Sequence, residues 1–496
     1  MSWQYRWIRR RGSVAAVSVL VGLGYGATAH GADWITMVGT EPADATHRIF
    51  GMAWLTYADN SGCDAYSGIR NPGGPSPGPT VSNGFYHQAC VNAPEFKDTA
   101  SLMVDNLVLG ARGNLIPERI NYLVAVNAGE NFYNYDPFDT SRRTLLSIQD
   151  ASVTFSYIPG VRVRAGLLRK PGPEEAMRPA APDFIFPSVA LNQLHNEVFL
   201  KGNAYSRTGA PIPGQGFAGN ISPHGYDADM GRDWGIQGFD AFKFDKWTLT
   251  YALMVGNGNG IHQSDNNSAK DVNAAVSAEY DLPGGKGPGK HGIKVFGYWQ
   301  QGERNFEIDA AGTESKDFDR IRYGFGARAL GEIFGAGAGR HRLGADAYFA
   351  EGMIFYAPVQ NVVEGPFRNG VLGIAAEGGN KARGFNVEYG YYLGDKWQFD
   401  LRWGLYQGLY ETEGPTWVAA DERRIDDWTF GVSYAFTPML KLAFNYQMRD
   451  YQAPNAVKPV ANTAAAINSA AIQTANQNIV TDSVGDRFGV RLTYAF

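Results

Sequence analysis

The chain has 496 residues but only two cysteines and eight histidines. Covalent haem needs Cys-x-x-Cys-His, and Cys63 and Cys90 cannot supply it. An electron-transfer conduit would therefore need a separate cytochrome inside this chain. An outer-membrane hydrolase needs a nucleophile and a base held together, commonly with a histidine. His47, His87, His195, His224, His262, His291 and His341 mostly sit in or beside connections, and none shows a Ser/His/acid spacing. The sequence points away from an enzyme and implies no cofactor. Apolar runs of about 20 residues, which a spanning helix needs, are missing except near the N-terminus. Positive charge is the minority sign, with 44 Lys and Arg against 49 Asp and Glu. That balance argues against a nucleic-acid partner.

The N-terminus carries Arg6, Arg9, Arg10 and Arg11, then a short apolar run from Val14 to Leu23, then mostly small residues to Ala32. A basic region, a short apolar region and a small-residue zone describe a secretory signal peptide. Residues 1–31 are expected to be removed, leaving 32–496 as the mature chain. Four of the 44 basic residues leave with the signal, so the mature acidic surplus is about 49 over 40.

What is abundant is glycine and aromatic residues: 61 Gly, 28 Phe, 26 Tyr and 11 Trp. That composition suits closely packed strands with aromatic girdles at a membrane interface. Period-2 segments recur along the chain. Val153, Phe155 and Tyr157 alternate with Ser152, Thr154 and Ser156 before a turn at Pro159-Gly160. Trp397, Phe399, Leu401, Trp403 and Leu405 alternate with polar or small residues, and Leu440 to Met448 does the same. Near the C-terminus, Phe488, Val490, Leu492, Tyr494 and Phe496 alternate with Arg487, Gly489, Arg491, Thr493 and Ala495. Such strands have one greasy and one wet face. A terminal aromatic on the greasy face is a common ending for bacterial outer-membrane barrels.

Short turns at 158–161, 245–246, 394–396 and 437–439 are interspersed with long polar connections at 60–100, 171–230, 356–381, 408–425 and 451–484. Sorting into short and long classes is the habit of a transmembrane barrel. The expectation is an all-β chain: a transmembrane antiparallel β-barrel of about sixteen strands in the bacterial outer membrane, with lipid around it. The strands near 47–58 and 102–115 are the least cleanly patterned. The 451–484 connection, rich in Ala, Asn and Gln, reads as a surface loop with room for one short helix. Pro283 to Lys290 is P-loop-like in composition but lacks a strand–loop–helix context, so it reads as a turn.

With apolar residues facing lipid, the intervening ones line the lumen. The inward basic set is Arg112, Arg119, Arg162, Arg164, Lys294, Arg322, Arg328, Arg342, Arg402, Lys441, Arg449, Arg487 and Arg491. The inward acidic set is shorter: Asp150, Glu279, Asp281, Asp346, Glu388 and Asp400. Other acids, Glu303 and Asp317 among them, are assigned to connections. Basic linings favour anions, although lumen arginines also pair with acids across strands. The long third connection, 171–230, contains Phe184-Ile185-Phe186, which has little use on a polar surface. It is expected to fold into the barrel as a constriction, the alternative being a contact with a neighbouring subunit.

One stretch, about 104–258, resembles the phosphate-selective porin O/P family. Its elements are Leu109-Gly110-Ala111-Arg112-Gly113-Asn114-Leu115, Asp150 to Tyr157, Val163 to Pro171, the long third loop and Tyr251 to Gly258. The resemblance implies a sixteen-stranded homotrimeric porin passing small anionic solutes, with Arg112, Arg162, Arg164 and Lys170 on the anion path. Phosphate preference would need a dense basic cluster in the third loop, which 171–230 does not show. A general porin, or one selective for cations or sugars, is the alternative.

Cys63 and Cys90 share one Gly- and Pro-rich connection. Export to an oxidising compartment favours a disulfide between them, with two free thiols as the other reading. His87 beside them does not make a zinc pattern.

Overall fold

The computed structural model describes residues 46–62, 98–128, 146–178, 183–195, 231–258, 267–285, 289–307, 315–335, 337–358, 372–376, 380–410, 422–456, 458–459, 461–482 and 484–495. Both cysteines, the signal region and Phe496 lie outside these residues.

Strands dominate. The first seven are β1 (Arg48–Asn60), β2 (Thr99–Ile116), β3 (Ile120–Ala128), β4 (Leu146–Ile158), β5 (Val161–Arg169), β6 (Arg232–Phe244) and β7 (Trp247–Gly256). Next come β8 (Asp271–Asp281), β9 (Gly292–Glu307), β10 (Ser315–Gly331), β11 (Arg340–Glu351), β12 (Ile354–Pro358) and β13 (Leu372–Ala376). The last are β14 (Lys381–Leu393), β15 (Trp397–Gly408), β16 (Arg423–Thr437), β17 (Leu440–Gln452) and β18 (Arg487–Ala495). Among the described residues three helices interrupt them: α1 (Glu174–Met177), α2 (Val189–His195) and α3 (Ala464–Asp482).

Every barrel strand pairs antiparallel with the next barrel strand along the chain, β11 with β14 included, and β1 pairs with β18 to close the ring, Leu55 opposite Leu492. Strands β12 and β13 form a separate hairpin in the β11–β14 connection, which leaves sixteen strands in the wall. Closure satisfies every strand edge, the condition for a sheet to stand in hydrocarbon.

Alternation does what the sequence predicts. Along β15, Trp397 and Phe399 are 43% and 40% exposed on the outer face, whereas Arg402 on the inner face is 1% exposed. Outward rings gather near the short turns, where Trp397 meets Tyr434 edge-on at 4.8 Å and Trp247 meets Tyr280 at 5.2 Å. A closed barrel with an apolar outside and a polar inside is built for the bacterial outer membrane, and that is where this chain belongs.

Connections sort by end. Seven short ones, 117–119, 159–160, 245–246, 282–291, 332–339, 394–396 and 438–439, share one end with the start of β1 and the finish of β18. The long ones share the other end. Between β8 and β9 the His291 amide donates to the Gly284 carbonyl at 3.2 Å, while 286–288 of the P-loop-like stretch lie outside the described residues. In the long β17–β18 connection the helix α3 runs nineteen residues, longer than the sequence suggested. Alanine favours the helical backbone, and the Thr463 hydroxyl caps it by accepting from the Ala466 amide at 3.2 Å.

The poorly patterned early strands have a physical cause. Register shifts between Trp54 and Leu55 where β1 meets β2, and again between Ala125 and Val126 where β3 meets β4. Each bulge adds one residue and reverses the in–out phase beyond it. Asp105 sits at the first shift and points inward, 3% exposed.

Candidate functional site: the lumen and its insert

The β5–β6 connection leaves the wall at Lys170, whose amide donates to the Gly231 carbonyl at 2.6 Å and so ties the insert's base. Pro171 and Pro173 lack the amide hydrogens a ladder needs, which ends β5 there. The chain then turns into the barrel, as Phe184-Ile185-Phe186 suggested. All three are at most 5% exposed.

The insert's route can be followed by its contacts. The Gln300 amide of β9 donates to the Pro171 carbonyl at 2.9 Å, and Lys294 of β9 pairs with Glu174 at 2.7 Å. Met177 packs on Phe239 of β6 and Ala252 of β7. Arg178 then ion-pairs with Glu388 of β14, and Asp183 with Arg342 of β11. Gln398 of β15 adds a bond to Asp183 at 3.0 Å. Ile185 and Phe186 reach Ala58 of β1 and Ala443 of β17, and the Ile185 amide donates to Asn445 at 2.6 Å.

Helix α2 returns across the lumen. Ser188 caps it, its hydroxyl accepting from the Leu191 amide at 3.2 Å and donating to Glu175 at 2.5 Å. Val189, Ala190 and Leu194 bury against Tyr298, Tyr348, Ala382, Tyr406 and Ile425 of the wall. Gly384 is the bed for this helix, since a Cβ there would stand 2.6 Å from the Ala190 Cβ. The end is pinned on β9, where His195 Nε2 lies 2.8 Å from the Tyr298 hydroxyl, and on β10, where Arg322 donates to the Leu194 carbonyl at 2.8 Å. Each fully buried Phe, Ile or Leu contributes about 1.5–3 kcal/mol, so this is an apolar core inside the barrel. Among the described residues the insert touches wall strands from β6 through β18 and also β1.

The basic residues divide in two. Arg322, Arg402 and Arg487 serve the insert. Arg402 donates to the Phe186 and Pro187 carbonyls at 2.9 and 3.1 Å and stacks 4.5 Å from the Phe184 centroid. Arg487 lies 4.0 Å over Phe186. Arg328 reaches Asp183 at 3.8 Å. Lys441 stands on β17.

The second group lies on the arc of β1–β6 and β18. Arg162 pairs with Asp240 at 3.0 Å, and Arg164 bonds Thr154 at 3.2 Å. Both guanidiniums face the Phe239 ring, at 4.7 and 4.3 Å. Arg491 ion-pairs with Asp105 and stacks on Trp54 at 4.3 Å. Arg112 faces Phe50 at 5.9 Å, and Lys170 is buried at the insert's base.

Arg119 is a correction. It sits exposed in the 117–119 turn, over Tyr157 at 5.5 Å, because β2 ends before it and the alternation does not extend to it. Glu303 and Asp317, assigned to connections, lie instead in the upper reaches of β9 and β10. The lumen also holds acids that strand alternation missed. Asp105 was hidden by a bulge; Asp240, Asp271 and Asp427 lay on strands whose faces were incompletely read; Glu174, Glu175 and Asp183 arrive on the insert. Buried Arg232, Arg304, Arg320 and Arg423 on the wall and Arg178 on the insert are further basic additions, so the surplus narrows without vanishing. Among the described residues no group of three His, Cys, Asp or Glu could hold a metal ion.

No protein-family model matches the chain, and no curated protein matches it. Solved structures similar to it include an anion-selective porin from Comamonas acidovorans, 11% identical, covering 91% of this chain and 100% of that one, TM-score 0.47. OmpF of Salmonella typhi in complex with daunomycin is 10% identical, covering 92% and 98%, TM-score 0.49. OprB of Pseudomonas putida is 10% identical, covering 91% and 94%, TM-score 0.44. The fold assignment rests on the closed strand order itself.

Proposed function

We propose that this barrel is a passive diffusion channel for small hydrophilic solutes that prefers anions, phosphate among them. The supporting observation is where the insert's acids go. Glu174, Glu175 and Asp183 are turned to Lys294, Arg402 and Arg342 on the β9–β15 wall. They neutralise that side. On the opposite arc Arg112, Arg162, Arg164, Arg232, Arg491 and Lys170 stand against Asp105, Asp150, Asp233 and Asp240, which leaves a smaller positive excess on that arc. A basic wall in a narrow, low-dielectric passage concentrates anions and repels cations.

The resemblance to the phosphate-selective porins supports an anion path and a homotrimer, though not phosphate preference itself. The basic, apolar and small-residue zones of residues 1–31 support a removable leader, and export to an oxidising compartment supports a Cys63–Cys90 disulfide. The test is single-channel recording of purified protein in planar bilayers. Chloride conductance that falls as inorganic phosphate is added supports a phosphate-binding passage. Unchanged chloride conductance would leave an anion channel without phosphate preference, and absence of channels would remove the proposal.

A further inference from the structure

Three apolar clusters on the inner wall contain side chains of the insert or pack directly on it: those around Val189 and Leu194, around Met177, and around Ile185 and Phe186. A fourth holds no described residue of the insert. It joins Phe50, Met52 and Trp54 of β1, Val108 of β2, Ala125 of β3 and Ala495 of β18. Strand register puts them on one face. Met52 stands opposite both Val108 and Ala495, while Phe50 stands opposite Gly110 and Gly110 opposite Ala125. The Phe50 ring lies along the wall over Gly110, where a Cβ would stand 2.4 Å from its Cζ. On β1 and β18 the insert reaches Ala58 and Arg487, toward the long-connection end. The patch therefore sits between the insert and the short-turn mouth.

Apolar surface facing a watery passage is unfavourable, and a wall that handles only inorganic ions gains nothing from it. It also adds to the poor alternation over 47–58 and 102–115, because Met52 and Val108 make both faces of their strands apolar. The polar groups around the patch are donors. Arg491 stacks on Trp54 at 4.3 Å, and Arg112 faces Phe50 at 5.9 Å. Arg491 gives Nε to Thr56 at 2.9 Å and one terminal nitrogen to Asp105. Trp54 Nε1 is buried and has no hydrogen-bond partner among the described residues. A buried N–H left without an acceptor costs free energy, which an incoming acceptor recovers.

We infer that this patch is a binding subsite for small organic anions that carry an aromatic or alkyl group. The charged head is complementary to the Arg491 guanidinium and the Trp54 indole N–H. The apolar part lies against the Phe50 and Trp54 rings. The inference rests on the anion-channel reading and narrows its solute class. Inorganic phosphate has no part that such a patch could cover.

The test records chloride currents of the full-length channel in planar bilayers while benzoate, acetate or benzamide is added. Benzoate carries ring and charge, acetate the charge alone and benzamide the ring alone. Benzoate is expected to reduce the current saturably at about tenfold lower concentration than either control, the worth of roughly 60 Å² of apolar surface withdrawn from water. Phe50→Ser should raise the half-blocking benzoate concentration several-fold, whereas Phe50→Leu, which keeps an apolar side chain, should largely preserve it. Equal potency of the three solutes on the wild-type channel would overturn the subsite and leave the anion channel standing. So would a benzoate effect unchanged in Phe50→Ser. Channels that favour potassium, or no channels, would instead remove the reading on which the subsite rests.

Discussion

Asp183 on the insert ion-pairs with Arg342 on β11, and Arg342, fully buried, also holds Asp400 of β15 at 2.9 Å. One carboxylate thus fastens the middle of the third connection to two wall strands. Removing it by Asp183→Ala takes one carboxylate from a buried guanidinium that keeps Asp400, which costs about 1–3 kcal/mol. The variant is expected to unfold at a lower temperature and to conduct more per channel as the insert loosens. Unchanged melting and conductance would show that this pair does not hold the insert.

Gly384 gives a second handle on the same packing. Its missing Cβ would stand 2.6 Å from Ala190 and 3.0 Å from the Leu194 side chain. Gly384→Val therefore overpacks the bed of α2, at about 1–3 kcal/mol. At Gly238 on β6 a Cβ meets nothing within 4 Å, so Gly238→Ala changes stability by less than about 0.5 kcal/mol. Thermal melts in detergent compare the pair.

Arg402 and Arg164 are both inward arginines, but their contacts differ. Arg402 is spent on the Phe186 and Pro187 carbonyls, whereas Arg164 bonds Thr154 of the wall and stacks on Phe239, with no hydrogen bond to the insert among those described. Arg402→Gln is expected to lower stability and alter conductance through the insert. Arg164→Gln is expected to reduce the anion-to-cation permeability ratio with little change in melting. Zero-current potentials measured on both variants separate a residue that holds the insert from one whose charge acts on the permeating ion.

The outward face makes a depth-dependent prediction. Leu401 lies mid-strand on β15 and Leu393 at the short-turn end of β14. Arginine at the bilayer midplane costs about 2–4 kcal/mol, falling to about 0–1 near the interface. Leu401→Arg should therefore impair refolding into lipid vesicles much more than Leu393→Arg. Equal effects would place Leu401 away from the hydrocarbon centre.

Much of the barrel was legible because the period of a strand is exact. Wherever alternation ran clean, as along β15 and β17, facing and turn position followed directly. Bulges broke the phase at Asp105, and alternation carried one residue too far put Arg119 in the lumen. The in-folding of the third connection was legible from Phe184-Ile185-Phe186, since a polar surface gives those side chains nothing to cover. Its charge partners were not legible. Glu174 and Lys294, or Asp183 and Arg342, are brought together only when the connection crosses the lumen, and no local pattern encodes that crossing. For the same reason Arg322, Arg402 and Arg487 read as path residues although their contacts are with the insert.

In the proposed channel the insert neutralises one wall and leaves a basic passage along the other. The zero-current potential of the wild-type channel under a KCl gradient tests this most directly. A potential whose sign reports chloride as the more permeant ion is predicted, weakening in Arg164→Gln. A potential of the opposite sign, with potassium more permeant, would contradict it.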